Sequence, residues 1–105
     1  MLTKDQILSI TDKAIREVEV PEWDGTVFIR GATMEDIDYY QRLEDKNDDK
    51  ALQKMIVRIV CDADGNPLFT EKDIPKMQKK SLQAFKRIVK EFKAFNSLED
   101  AEKNS

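Results

Sequence analysis

The chain has 105 residues, 40% of them hydrophobic and 37% charged, and a formal net charge of −3. That balance describes one charge-rich soluble domain, with no apolar run near the roughly 20 residues a membrane helix needs and too much apolar content for a disordered chain. There is no histidine and one cysteine, Cys61, which removes most general acid–base sites, serine and cysteine triads, most zinc sites and any internal disulfide.

Two-carboxylate chemistry remains open among the 21 acidic residues, but acids at this density mostly form a solvated surface. No GxxxxGK[ST] or GxGxxG motif is present, and three glycines leave little material for a phosphate-binding loop. The composition therefore points away from an enzyme and implies no cofactor. The N-terminus, MLTKDQILSI, carries an early acid and lacks the apolar core of a signal peptide. A cytosolic protein is expected.

In chain order, Thr3 to Ile15 reads as a short amphipathic helix. Thr3 and Gln6 have capping-box spacing, and Ile7, Leu8, Ile10, Ala14 and Ile15 recur at helical intervals. The stretch EVEVPEWDGTVFIRG reads as a hairpin, residues 17–23 against 26–31, turning at Asp24-Gly25, a pair favoured in type I′ turns. Pro21 lacks an N–H and places its strand at an edge or a bulge. Trp23, the only tryptophan, either covers the apolar face of the hairpin or anchors a partner.

Thr33 is placed to cap a second helix whose first turn is acidic, with Ile37, Tyr40 and Leu43 facing inward. The polar run Glu44–Lys50 is either a break or a solvated stretch of a longer helix. Ala51 to Cys61 carries the strongest helical stripe, Leu52, Met55, Ile56, Ile59 and Val60, with Met55 and Cys61 as core filler. Thr70 or Asp73 caps a short helix with Pro75 in its first turn. A long helix follows from Ser81, its inward face formed by Leu82, Phe85, Ile88, Val89, Phe92 and Phe95. The reading is a mainly α (α+β) fold. It is a small helical domain of about four to five helices with one N-terminal β-hairpin, a single domain over 1–98 and a flexible polar tail over 99–105.

The stretch VCDADGNPLFTE invites comparison with a calcium-binding EF-hand loop. With Gly65 at the sixth position, Asp62, Asp64 and Glu71 fall on ligand positions, but Val60 supplies no ligand at the first. With Asp62 first, Pro67 stands where glycine is required. Both registers fail. Asp64-Gly65-Asn66-Pro67 is better read as a dense turn that returns Leu68 and Phe69 to the core.

Charge is unevenly spread. Residues 1–70 hold 9 basic and 15 acidic residues, and residues 71–95 hold 8 basic and 3 acidic ones. The basic stretch is a solvated face, a nucleic-acid contact, or the back of a molecule whose acidic front stacks head to tail on it. Few arginines and no basic–aromatic interleaving are available for base recognition.

Three blocks in order, VEVPEWDGTVFIRGAT, DADGNPLFTEKDIPKM and KSLQAFKRIVKEFKAFNSL, resemble the tail assembly chaperones of long-tailed phages. The resemblance spans about residues 3–98. It implies a non-enzymatic protein of the host bacterial cytoplasm. Such a protein binds the phage tape measure protein, keeps it soluble, helps recruit major tail tube subunits and is absent from the mature virion. It also implies a homo-oligomer, spiral or head to tail, with no nucleic acid or membrane partner. A small nucleic-acid-associated regulatory protein using the basic C-terminal helix is the alternative. The family often makes a longer form by ribosomal frameshifting near the C-terminus, and Glu102-Lys103-Asn104 is where an adenine-rich slippery site would fall. Candidate partner contacts are Trp23 and Phe28 on the hairpin and Phe85, Phe92 and Phe95 on the last helix, with Lys86 and Lys90 beside them.

Overall fold

A computed structural model of the protein describes residues 1–12 and 14–98. The tail expected over 99–105, with Glu102-Lys103-Asn104, lies outside the described residues. Helix α1 (Lys4–Ser9) is followed by strands β1 (Ile15–Val20) and β2 (Gly25–Arg30), then helices α2 (Met34–Asp45) and α3 (Ala51–Ile59). A two-residue strand β3 (Val60–Cys61), a 3-10 turn (Glu71–Asp73) and helices α4 (Ile74–Met77) and α5 (Leu82–Phe95) complete the described chain. This is the small α+β domain that the periodicities imply, with five helices and the expected hairpin. The hairpin gains a third strand: β2 lies between β1 and β3, all antiparallel.

The inner face of the sheet is built from β-branched residues at alternate positions, Val18 and Val20 on β1, Ile29 on β2 and Val60 on β3. Helices α3 and α5 cover it. Met55, Ile56 and Ile59 come from α3 and Ala84, Phe85, Ile88 and Phe92 from α5, all buried, with Leu43 of α2 and Met77 of α4 closing the edges. Val60 still points inward, although it belongs to a strand rather than to the end of the helical stripe. Cys61 is buried against Phe28, its partner across the sheet.

Four expectations need correction. The helix read from Thr3 to Ile15 stops at Ser9, after the expected capping box between Thr3 and Gln6. Gly31 donates its N–H to the Ala14 carbonyl at 2.7 Å, and Ile15 pairs with Arg30. The sheet thus claims Ile15, whose β-branched side chain suits a strand better than a helix. No residue of α1 is buried.

The hairpin does not turn on Asp24-Gly25 alone. Pro21–Trp23 form a 3-10 turn, Asp24 takes the left-handed conformation (φ 51°), and Gly25 is already in the strand. Thr26 therefore pairs with Glu19, four residues away from the Trp23 that a two-residue turn would give it. Because the slip is an even number of residues, the inward face is unchanged. Pro21 also opens the turn rather than sitting in an edge strand, where its fixed φ and missing donor suit a first helical position.

The third and fourth corrections concern exposure. Leu68 is 53% exposed while Phe69 packs against the core, because successive residues of an extended segment point to opposite sides. Ile37 and Leu82, expected inward, are 37% and 54% exposed. Leu82 is the first residue of α5, ahead of the point where the helix reaches the sheet.

The run Glu44–Lys50 breaks the helix at Asp45, with Asn47 at φ 52°. The Asp62–Pro67 segment is a tight turn. The Asp62 carboxylate accepts from the amides of Asp64 (2.9 Å) and Asn66 (3.0 Å), and Gly65 takes φ 87°. Among the described residues no helix is long and apolar enough to cross a membrane.

Candidate partner-binding groove

The 3-10 turn at the tip of the hairpin sets Trp23 against α5. Its ring meets Phe85 edge-on, with centroids 5.8 Å apart and planes at 83°, an arrangement that aromatic quadrupoles favour. Beside it, Arg87 donates to both carboxylate oxygens of Glu22, at 3.1 and 3.0 Å. That bond, together with the backbone at Glu22, holds the Glu22 carboxyl below its ordinary value. Two adjacent turn residues thus dock on two α5 residues two positions apart, and the tip is pinned.

Trp23 and Phe85 form one wall of an apolar hollow of about 380 Å³. Phe69, from the segment after the Asp62–Pro67 turn, and Met77 of α4 complete its lining, and Asp73, Lys76 and Lys80 stand at its rim. Thr70 caps the 3-10 turn that leads into α4, and Asp73 returns the bond to the Thr70 amide at 2.9 Å. This box and Pro75 in the first turn of α4 fix the short helix where Met77 is buried. Trp23 keeps 36% of its surface exposed, whereas Phe85 keeps 5%. The groove therefore offers one accessible ring over a fixed aromatic floor, flanked by two lysines and one aspartate. It is suited to the apolar face of a helix bearing acidic residues at its margin.

The sequence candidates divide between five places. Trp23 and Phe85 come together in this groove. Phe92 is 2% exposed and belongs to the core, where it floors a second hollow between α2 and α5. Phe95 is half-buried under Arg16, whose guanidinium lies 5.7 Å from the ring centre. Phe28 lies on the outer face of the sheet between Glu17 and Cys61. Lys86 and Lys90 are exposed on the solvent side of α5, away from the groove. Sequence reasoning missed Phe69, Met77, Lys76 and Lys80 as a group. Pro75 and a cap at Thr70 or Asp73 marked the helix that carries Lys76 and Met77, but the approach of that helix to the hairpin tip is a long-range event.

Among the described residues, no group of three or more histidine, cysteine or acidic side chains is disposed to hold a metal ion.

Residues 4–101 match the model of a family described as "Phage tail assembly chaperone, TAC". The chain belongs to the phage tail assembly chaperone family. Among solved structures it is similar to one titled "Structure of bacteriophage HK97 tail assembly chaperone", with a TM-score of 0.60. The match covers 84% of this chain and 88% of that one at 18% identity, and at that identity it speaks for the fold. No curated protein matches the chain. For a tail assembly chaperone, the groove is the natural place to look for a partner surface, since it combines exposed aromatic area with a charged margin.

Proposed function

We propose that this tail assembly chaperone binds the phage tape measure protein and keeps it soluble in the host cytoplasm. On this reading it helps recruit major tail tube subunits, which displace it before the virion matures. The role is non-enzymatic. Family membership supports the assembly role, and the Trp23–Phe69–Met77–Phe85 groove supports binding of a helical client through its apolar face. Trp and other aromatics at a pinned, partly exposed site are the usual anchors of such contacts. Trp23 and Phe85 are the proposed anchors, with Lys76 and Lys80 steering acidic client residues.

The test is co-expression of the tape measure protein with this chain, with its Trp23→Ala variant, or alone. Rescue of client solubility and co-purification by the parent chain, reduced several-fold by Trp23→Ala, supports the reading. A client that stays insoluble with either the chain or its frameshifted longer form overturns it. The nucleic-acid alternative predicts instead a steep loss of DNA or RNA binding with salt. Against that alternative, Arg87 is already paired with Glu22 and Lys93 lies over the Tyr40 ring, so the basic residues of α5 do not present one continuous strip.

A further inference from the structure

Of the two edges of the sheet, one is closed. On the β3 side the chain returns along its own strand. Leu68 donates its N–H to the Val60 carbonyl at 3.3 Å, Asp62 donates to the Asn66 carbonyl at 2.9 Å, and Cys61 bridges to Pro67. On the other side, β1 is the outermost strand. The bond from Gly31 to Ala14 makes positions 14 and 31 a hydrogen-bonded pair. Alternation along an antiparallel ladder then turns the N–H and C=O of Arg16, Val18 and Val20 toward β2, and those of Ile15, Glu17 and Glu19 away from it. Among the described residues, no hydrogen bond from outside the sheet meets these outward groups.

An open edge is a template for another chain, and proteins ordinarily blunt it with a proline, a bulge, a very short strand or a charge. β1 has six residues in unbroken register with β2, and Pro21 lies just past its end. Charge is what remains. Glu17 and Glu19 are exposed and share the outer face of the sheet, and neither has a side-chain bond or ion pair among the described residues. A second β1 laid alongside would bring these glutamates against their own copies, and like charges directly opposite destabilise a sheet. The same two side chains favour a strand that sets cations opposite them. Between them Val18 faces inward and is buried, so the partner residue beside it meets the apolar margin of the core.

We propose that the free edge of β1 receives an extended segment of another protein in which basic residues alternate with apolar ones. The segment runs antiparallel, the stronger pairing, and its main chain bonds to the N–H and C=O groups of Ile15, Glu17 and Glu19. Two of its cations stand opposite Glu17 and Glu19, and the apolar residue between them lies beside Val18. The edge and the Trp23 groove thus have opposite preferences. The lysines of the groove suit an acidic helix, whereas the glutamates of the edge suit a basic strand, so one chain has places for two unlike segments. The edge does not depend on the client reading of the groove, and its test contains no tape measure protein.

The probe is a capped synthetic hexapeptide alternating lysine and valine, titrated into the isotope-labelled chain and followed by backbone amide shifts. At low salt the amides of Ile15, Glu17 and Glu19 shift to saturation and gain at least tenfold protection from hydrogen exchange, and the binding weakens as salt rises. The amides of Phe69 and Met77 in the groove stay where they are, and Trp23→Ala binds the peptide equally well. The Glu17→Lys/Glu19→Lys double variant, changed at two exposed positions, binds the lysine peptide at least tenfold more weakly and takes a glutamate–valine peptide instead. A lysine peptide N-methylated at its lysines, whose amides face β1, fails to bind, whereas methylation at its valines is tolerated. Equal binding of the two methylated peptides overturns the proposal, because charge alone would then hold them. So does the absence of any shift at Ile15, Glu17 and Glu19 at millimolar peptide. So do edge amides that are already protected in the free chain in proportion to its concentration, which would put a second copy on the edge.

Discussion

Arg30, the last residue of β2, closes on Asp36 in the first turn of α2 with two parallel bonds, Nη1 to Oδ2 at 2.6 Å and Nη2 to Oδ1 at 2.5 Å. Arg58 adds a third from α3, Nε to Oδ1 at 2.5 Å, and the Thr33 amide a fourth at 2.8 Å. One carboxylate, 1% exposed, thereby ties a strand to two helices. Losing it leaves two partly buried guanidiniums facing each other. Asp36→Ala should cost about 3–5 kcal/mol, toward the low end because both arginines reach solvent. Urea denaturation measures it. Alanine is the better helix former, so an unchanged midpoint would show that the network contributes nothing net.

The same carboxylate sets an acid limit. Burial alone would push Asp36 up, but the bonds from Arg30, Thr33 and Arg58 outweigh burial and hold it far below the usual carboxylate range. A depressed folded-state value means stability that is complete above the unfolded value, about 3.9, and is lost as pH falls below it. The melting temperature should therefore drop steadily from about pH 4 downward. In Asp36→Asn, a lower overall stability should come with a visibly shallower slope in that window. Equal slopes in both proteins would place the acid sensitivity elsewhere, for example at Glu22 or Asp48, which are also held low by Arg87 and Lys54.

Gly65 stands at φ 87°, a conformation that a side chain resists. A Cβ there would meet only Ile15 Cγ2, at 4.0 Å, so space is not the constraint. Gly65→Val should cost about 1–3 kcal/mol through the backbone alone, and Gly65→Asn less, since Asn tolerates the left-handed region. Equal costs for the two would mean that packing rather than conformation decides.

Phe92 and Phe95 separate core from surface on one helix. Phe92→Ala should cost about 3–5 kcal/mol as a cavity in the core. Phe95→Ala should cost distinctly less, because the ring is half-buried and its Arg16 contact is a surface one. If Phe95 proved the costlier of the two, the packing of α5 on the sheet would need to be redrawn.

Local chemistry was legible where it acts within a few residues. The caps at Thr3, Thr33 and Thr70 all form, and apart from Leu82 the α3 and α5 stripes face the core. What failed was competition between neighbouring options. Asp24-Gly25 carried a hairpin signal, but Pro21 three residues earlier imposed a 3-10 turn. Ile10 to Ile15 fitted a helical period, but the open edge of β2 at Arg30 and Gly31 captured Ala14 and Ile15. Strand β3 is two residues long and exists only because Phe28 and Ile29 are there to pair with it. At the groove, Trp23 and Phe85 could be named from type and spacing. Their meeting with Phe69 and Met77 depends on where the chain returns after Pro67, which no local pattern encodes.

Trp23 makes the groove self-reporting. It is the only tryptophan in the chain and 36% exposed, so its emission reads the polarity of this one surface. A client helix laid over the ring removes water from it. Titrating an amphipathic tape measure peptide should therefore shift the emission to shorter wavelength, saturating at the binding stoichiometry. Affinity should fall by a factor of roughly thirty or more in Trp23→Ala, the loss typical of a hot-spot truncation, and be largely retained in Trp23→Phe, read by calorimetry. Lys76→Glu with Lys80→Glu should slow association and weaken its salt dependence without moving the emission of the free protein. Saturable binding that leaves the emission unmoved would place the client on another face, and the α2–α5 groove would be the first to examine.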